Sequence, residues 1–175
     1  MSPSAVALLV LFGAAAAAFG YGYLLLRRGA AEAERSLARI RIEDVPRLTE
    51  ECERVFRERL GAPLAGLDLE GACELLERVT RSQALKRAFR RDELAWYFVQ
   101  PVGAYVGELI RAHGRAVWAA DPAGGVLLEV TLPEGRTLRS RPFDKVLRHR
   151  LSGQAGGLRA YIRFAAGRDP GAPRA

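Results

Sequence analysis

Side chains that commonly hold metals or form cross-links are scarce in this chain. It has two histidines and two cysteines among 175 residues. Cys52 and Cys73 form no CxxC pattern and have no pair of histidines nearby, so the sequence predicts neither a metal site nor a cofactor. Both lie on apolar stripes of predicted helices, which favours buried side chains. If the domain lies outside the cytoplasm, a disulfide between the two cysteines is an alternative.

Motifs of the common serine hydrolases, zinc proteases and phosphate-binding loops are also missing. The one candidate for acid or base catalysis is Glu108, a lone carboxylate between apolar turns, where burial would raise its pKa. No second carboxylate or nucleophile stands at a spacing that would complete a reaction, and Arg111 can pair with Glu108. The sequence therefore favours a structural role for Glu108 over an enzyme centred on it.

Charge is absent from residues 4–26. As a helix this run would be about 34 Å long, enough to cross a bilayer core of about 30 Å. Arg27 and Arg28 follow the run and no basic residue precedes it, which favours an uncleaved anchor over the alternative of a cleaved signal peptide. By the positive-inside rule, the sequence predicts a single-pass anchor over 1–28 in a bacterial inner membrane, with the following domain in the cytoplasm.

Beyond the anchor, the sequence predicts a helical linker over 29–43, an α+β domain over 44–166 and a disordered tail over 167–175. Apolar residues at helical spacing predict three helices at the start of the domain. The first runs from Asp44 to Gly61, and Asp68 caps the second.

The third helical pattern begins near Asp92 and is interrupted by Pro101, which predicts a kink or two abutting helices. Its apolar positions recur at three and four residues: Leu94, Tyr97, Phe98, Val102, Tyr105, Val106, Leu109 and Ile110. His113 falls on the same face, as a core histidine, whereas Ala104 points away. Gly114 is expected to end the helix.

From residue 116 the apolar period changes to two. This alternation predicts a small three-stranded antiparallel meander with strands over 116–120, 126–132 and 137–141. Helical spacing resumes after Pro142 as a closing helix. Residues 157–166 fit either a helix or a strand, and their Ala-Ala-Gly ending favours a helix.

Gly103 and Gly107 lie one turn apart on the third helix and form a stripe without side chains. We expect this stripe to be a packing groove, with the backbone of the strand hairpin close against it and Trp118 in the core. A dimerisation groove inside a bilayer is excluded, because Glu108 and Arg111 belong to the same segment.

The formal net charge is +7, and it is concentrated near the end of the chain. Residues 136–175 hold ten Lys or Arg and two acids, a net charge of +8. This composition predicts an anionic-surface site whose members are exposed together: Arg139, Arg141, Lys145, Arg148, Arg159 and Arg163. His149 is expected on the same solvated face. Few aromatic residues accompany these bases, so anionic lipid is favoured over nucleic acid.

Residues 67–151 resemble a family of small bacterial α+β domains without an assigned activity. The residues that match its AYxGE helix, tryptophan strand and closing proline-phenylalanine helix are Ala104, Tyr105, Gly107, Glu108, Trp118, Pro142 and Phe143. The chain departs from the family's glycine-rich approach to the tryptophan, where it has Gly114-Arg115-Ala116-Val117. The resemblance implies the fold and supplies no catalytic residue.

Three functional hypotheses follow. The first is a membrane-anchored cytoplasmic interaction domain without catalysis, with another protein as its partner. The second is an anionic-lipid or nucleic-acid binder that uses the basic end of the chain. The third, and least favoured, is an enzyme centred on Glu108.

Overall fold

The computed structural model describes residues 31–82, 85, 89, 95–152 and 157–168. The predicted anchor, the predicted cap at Asp92 and residues 169–175 of the predicted tail lie outside this part of the chain. Within it, no helix combines the length and the apolar character that crossing a membrane requires.

The fold is α+β with a three-stranded antiparallel sheet, as the sequence predicts. The elements follow in chain order: a 3-10 turn Ile42–Asp44, α1 Val45–Glu58, α2 Leu69–Arg81, a π-helical turn Ala95–Val99, α3 Gln100–His113, β1 Arg115–Ala120, β2 Val126–Thr131, β3 Thr137–Ser140, α4 Pro142–Ser152 and α5 Gly157–Ala165. Residues 31–37 are also helical. The compact unit that holds these labelled elements begins at Ser36, earlier than the predicted start at Asp44.

Local signals at the helix ends are correct in most places. The Asp68 carboxylate accepts the Gly71 N–H at 2.8 Å and caps α2. Asp44, in contrast, makes no side-chain cap for α1, because its carboxylate accepts the Arg41 N–H at 3.0 Å instead. Helix α3 ends at Gly114, and the segment that fitted either a helix or a strand forms α5.

Helix α3 lies at the centre of the domain, in contact with α1, α4, α5 and β1. The helix is therefore buried on most of its sides, and its burial is not limited to one apolar stripe. Ala104, which the helical wheel directs away from the core, is fully buried, whereas His113, in the last turn, is exposed. Both expectations were wrong, because neighbours cover the helix from more than one direction and leave its last turn uncovered.

Both cysteines are buried and free. Burial raises the pKa of the Cys52 thiol well above its usual value and that of Cys73 to about 11. A thiol that stays protonated at neutral pH is a poor nucleophile and a poor metal ligand. In the structure, each cysteine is a small apolar side chain of the core.

The sheet is a meander with the order β1-β2-β3. Strand β1 pairs with β2 from Arg115 opposite Thr131 to Ala120 opposite Val126, without a bulge. Gly124 and Gly125 have φ values of +100° and +84°, a region that glycine occupies without strain, and they close the tight turn between these strands. This register places Trp118 opposite Leu128, on the face of the sheet that meets α3.

Candidate functional site

The glycine stripe of α3 is filled by two aromatic side chains. A Cβ on Gly107 would overlap the indole ring of Trp118, and a Cβ on Gly103 would overlap the ring of Phe143 and lie 2.9 Å from its Cα. The two rings pack on each other with centroids 5.9 Å apart. The packing groove therefore receives side chains from β1 and α4, and not the hairpin backbone that the sequence suggested.

Glu108 binds the Trp118 ring that fills this groove. Its carboxylate accepts the Trp118 indole N–H at 2.7 Å and the Arg111 guanidinium at 2.7–3.1 Å. Burial favours the neutral acid, but the hydrogen bonds from Arg111 and Trp118 outweigh it and lower the pKa of Glu108. The sequence had suggested a raised pKa for a buried carboxyl. The carboxylate instead stays ionised and fixes the orientation of the indole ring.

Two substitutions separate the charge of Glu108 from its hydrogen bond. Glu108→Ala leaves the Trp118 N–H without its acceptor and should lower the free energy of unfolding by about 1–3 kcal/mol. Glu108→Gln keeps an acceptor and should cost less. Because the folded-state pKa lies below the unfolded value of about 4.3, ionised Glu108 stabilises the fold above that pH, and this contribution is lost as the pH falls through the folded-state pKa.

Urea unfolding of the full chain, measured between neutral and acid pH, tests this expectation. The wild type should lose more stability than Glu108→Gln across the acid range. Parallel curves for the two proteins would show that the charge of Glu108 does not contribute to folding stability.

The six basic residues of the predicted anionic-surface site do not form one cluster, and most of them contact different partners. They lie on β3, on α4 and α5, and in the connection after β3: Arg139, Arg141, Lys145, Arg148, Arg159 and Arg163. The Arg141 guanidinium donates to Asp121 at 3.0 Å and forms an ion pair with it. The Arg139 guanidinium lies 3.7 Å from the Glu129 carboxylate. These two arginines are therefore matched by acids of the same sheet region.

The arginines of α5 pair with acids of α2. The Arg159 guanidinium donates to Glu70 at 2.8 Å and lies 3.4 Å from Glu74, and Arg163 lies 3.4 Å from Glu70. Arg159 and Arg163 thus contribute to the packing of α5 on α2. The expectation that all six bases are exposed together was wrong, because Lys145, Arg159 and Arg163 are half-buried.

Helix α4 carries the last two members of the set. Lys145 Nζ lies 5.5 Å from the centroid of the Tyr161 ring, a cation–π geometry. Arg148 is exposed and, among the described residues, has neither a charged nor an aromatic partner. Arg139 and Arg141 are exposed too, but each has an acidic partner, and a single unpaired arginine does not form a site for a phosphate-rich surface.

His149 is buried in the structure and does not lie on a solvated face. Its Nε2 atom is 3.4 Å from a carboxylate oxygen of Glu77 on α2. Burial lowers the pKa of His149, Arg81 and Lys145 act in the same direction, and Glu77 opposes them. Burial thus favours the neutral imidazole, and His149 belongs to the packing between α4 and α2. Among the described residues, no three potential ligands come together as a metal site.

The structure shows a surface feature that the sequence did not predict. Trp96 and Tyr97 lie in the π-helical turn and are 52% and 46% exposed, whereas the next residue, Phe98, is fully buried. The Arg59 guanidinium lies 5.7 Å from the centroid of the Tyr97 ring. We name Trp96, Tyr97 and Arg59 the aromatic turn.

The position of the aromatic turn follows from Pro101. This residue has no N–H to donate to the carbonyl of Tyr97, so the regular α-helical pattern cannot continue through the preceding turn. The chain has π-helical geometry there, and the change of helix type alters which side chains face the core. Pro101 was the signal for this feature, although helical spacing places Tyr97 on the apolar face.

Comparisons with known proteins gave no relative. No protein-family model matches the chain, and neither a curated protein nor a solved structure matches it. The resemblance to small bacterial α+β domains stays a prediction. Several residues that carry it meet in the packing groove, where Gly107 and Glu108 contact Trp118, and Trp118 packs on Phe143.

Proposed function

We propose that this chain is a membrane-anchored, non-catalytic interaction domain on the cytoplasmic side of a bacterial inner membrane. The uncharged run 4–26, followed by Arg27 and Arg28, supports the anchor and its orientation. The contacts of Glu108 support a role in folding, because its carboxylate orients Trp118 in the packing groove.

The observation that carries the interaction role is the aromatic turn. Tryptophan, tyrosine and arginine are the residue types that contribute most to binding when they are buried at an interface. Here all three residues are exposed, the Arg59 guanidinium lies over the Tyr97 ring, and Trp96 is the next residue to Tyr97 in the chain; the Trp96 and Tyr97 side chains are about half accessible. A buried core does not need these two rings, because Phe98 fills the inner side of the same turn.

An anionic bilayer surface fits the chemistry of the aromatic turn. Tryptophan and tyrosine rings favour the headgroup region of a membrane. A basic residue close to an anionic leaflet gains about 1 kcal/mol. Arg59 supplies such a charge, and residues 81–91 of the sequence carry five bases and no acid. An anchored domain would also always lie within reach of the leaflet, which raises its effective concentration there.

The two tryptophans of the chain provide a direct test in the full-length protein. The chain is reconstituted into vesicles that contain phosphatidylglycerol and a lipid with a fluorescence quencher at headgroup depth. We expect quenching of Trp96, less of it in phosphatidylcholine vesicles, and loss of it in about 1 M salt, where the Debye length is about 3 Å. Trp96→Phe should abolish the quenched component, since the remaining Trp118 lies in the packing groove.

Three controls complete the experiment. Arg148→Gln, at an exposed base outside the aromatic turn, should leave the quenching unchanged, whereas Arg59→Gln should reduce it. Deletion of residues 4–26 should release the chain from carbonate-washed membranes if this run is the anchor. Equal quenching in the wild type and Trp96→Phe would contradict docking through the aromatic turn. If duplex RNA shields Trp96 from a soluble quencher and anionic vesicles do not, the ligand of the aromatic turn is nucleic acid and not lipid.

A further inference from the structure

His149 is enclosed where three helices meet. It lies in the last turn of α4 and is only 4% exposed. Its Nε2 atom is 3.4 Å from the Glu77 carboxylate of α2. A Cβ on Gly157, the first residue of α5, would lie 3.5 Å from its Nδ1 atom. The two nitrogen atoms of the imidazole therefore lie beside α2 and α5, respectively.

Glu77 connects this histidine with the start of α5. The same carboxylate oxygen, Oε2, that lies beside His149 Nε2 also accepts the backbone N–H of Arg159, at 3.4 Å. The first N–H groups of a helix have no partner within that helix, so an acceptor from outside satisfies one of them. Glu77 thus acts on α5 as an N-terminal cap does, and the charge state of His149 affects the oxygen that makes this contact.

The surroundings of His149 disfavour a proton on its ring. Burial lowers the pKa of His149, Arg81 of α2 and Lys145 of α4 lower it further, and Glu77 raises it. Helix α3 and the π-helical turn also contact α4, but among the described residues they supply no charged group that acts on His149. From α5, the Arg159 guanidinium is paired with acids of α2. A protonated His149 would therefore be a buried charge whose only opposing charge is Glu77.

Helix α5 is the element of this corner that can open at the least cost. It has nine residues and is the shortest of the three helices. An isolated helix of fewer than about 12–15 residues is marginal in water, so α5 stays helical only while it is docked. Leu158 and Ile162 are fully buried and dock it at neutral pH. The ion pairs that Arg159 and Arg163 form with Glu70 are partly exposed, and such pairs add little.

We propose that His149 and Glu77 form a pH-sensitive latch, which holds the start of α5 on α2 while His149 is neutral and releases it when His149 is protonated. A buried imidazolium gains water when α5 moves away, because Gly157 covers its Nδ1 side. The folded-state pKa of His149 lies below the unfolded value of about 6.5. The latch is therefore fully closed above that pH, and its contribution is lost as the pH falls through the folded-state pKa.

Hydrogen exchange of the full-length chain tests the latch. Protection factors, which correct for the intrinsic effect of pH on exchange, are measured for the amides of α5 and of α3 in neutral and in mildly acid solution. We expect the protection of α5 to fall by up to about tenfold over the first pH unit below about 6.5, the limit for one titrating group. It should stay below the protection of α3, because α5 opens without unfolding of the domain.

Four variants identify the titrating group. His149→Gln keeps an N–H group near Glu77 but takes up no proton, so the acid loss should disappear. Glu77→Gln retains an acceptor for Arg159 and should enlarge the loss, because it removes the group that raises the His149 pKa. Arg81→Gln should reduce the loss, because it removes a group that lowers this pKa. His113→Gln, at the other histidine of the chain, is the matched control and should leave the response unchanged.

Two outcomes would overturn the latch outright. One is an equal acid loss in the wild type and in His149→Gln. The other is equal protection of α5 and α3 in the acid range, which would mean that the whole domain unfolds. If His149→Gln does not fold, the remaining variants decide the case: opposite effects of Glu77→Gln and Arg81→Gln support the latch, and effects in the same direction contradict it.

Discussion

Gly107→Leu should destabilise the domain by about 1–3 kcal/mol, the usual cost of overpacking, and by more if the neighbours cannot move. Any Cβ at this position would overlap the Trp118 indole. The ring has little freedom to retreat, since its N–H donates to Glu108 and its other side packs on Phe143. Urea unfolding of the full chain would give the change in the free energy of unfolding.

Gly157→Ala is the matched control for this substitution. Gly157 is also helical, but a Cβ there would meet only the His149 Nδ1 atom, at 3.5 Å, which is an ordinary contact. Because alanine favours helix over glycine by up to about 1 kcal/mol, this variant should be as stable as the wild type or slightly more stable.

A second variant identifies the cause of the loss. If the overlap with Trp118 destabilises Gly107→Leu, the double variant with Trp118→Leu should lose less than the sum of the two single losses. Additive losses would show that the ring does not fill the groove. An unchanged stability of Gly107→Leu would place this side of α3 in solvent.

The sequence predicted the groove but not its occupant. Helical spacing shows that Gly103 and Gly107 share a side of α3, because this depends only on the helical repeat. Which element approaches that side depends on the path of the chain from β1 to α4. Trp118 and Phe143 lie on different elements, and no local sequence pattern shows that their side chains come close to the two glycines.

The positions of the charged residues show the same limit. A run of bases in the sequence predicts local charge, but its exposure depends on acids that are distant along the chain. Arg159 and its partner Glu70 are separated by 89 positions. The acidic character of the early helices and the basic character of the late ones are complementary, and α2 packs against α5 with these charges facing each other.

Helix type was the third feature that spacing alone could not settle. The sequence correctly placed an irregularity at Pro101, and the structure has a π-helical turn that joins α3 directly. A five-residue change of helix type is enough to separate two neighbours that the α-helical repeat assigns to the same face. Tyr97 is on the surface and Phe98 is in the core.

Phe98→Ala should lower the free energy of unfolding by about 3–5 kcal/mol, the usual cost of removing a buried aromatic ring. Phe98 is fully buried, and its ring centroid lies 6.2 Å from that of Phe56 and 6.1 Å from that of Phe89. The substitution removes the shared member of both aromatic contacts. The cavity that it leaves lies between the π-helical turn and α1.

Tyr97→Ala, one residue earlier, should cost no more than about 1 kcal/mol, because it removes an exposed ring and one cation–π contact with Arg59. The ratio of the two losses in urea unfolding therefore reports which side of the π-helical turn faces the core. A loss for Tyr97→Ala as large as that for Phe98→Ala would make Tyr97 a core residue. The aromatic turn would then be part of the interior, and docking on an anionic leaflet would need a different surface of the domain.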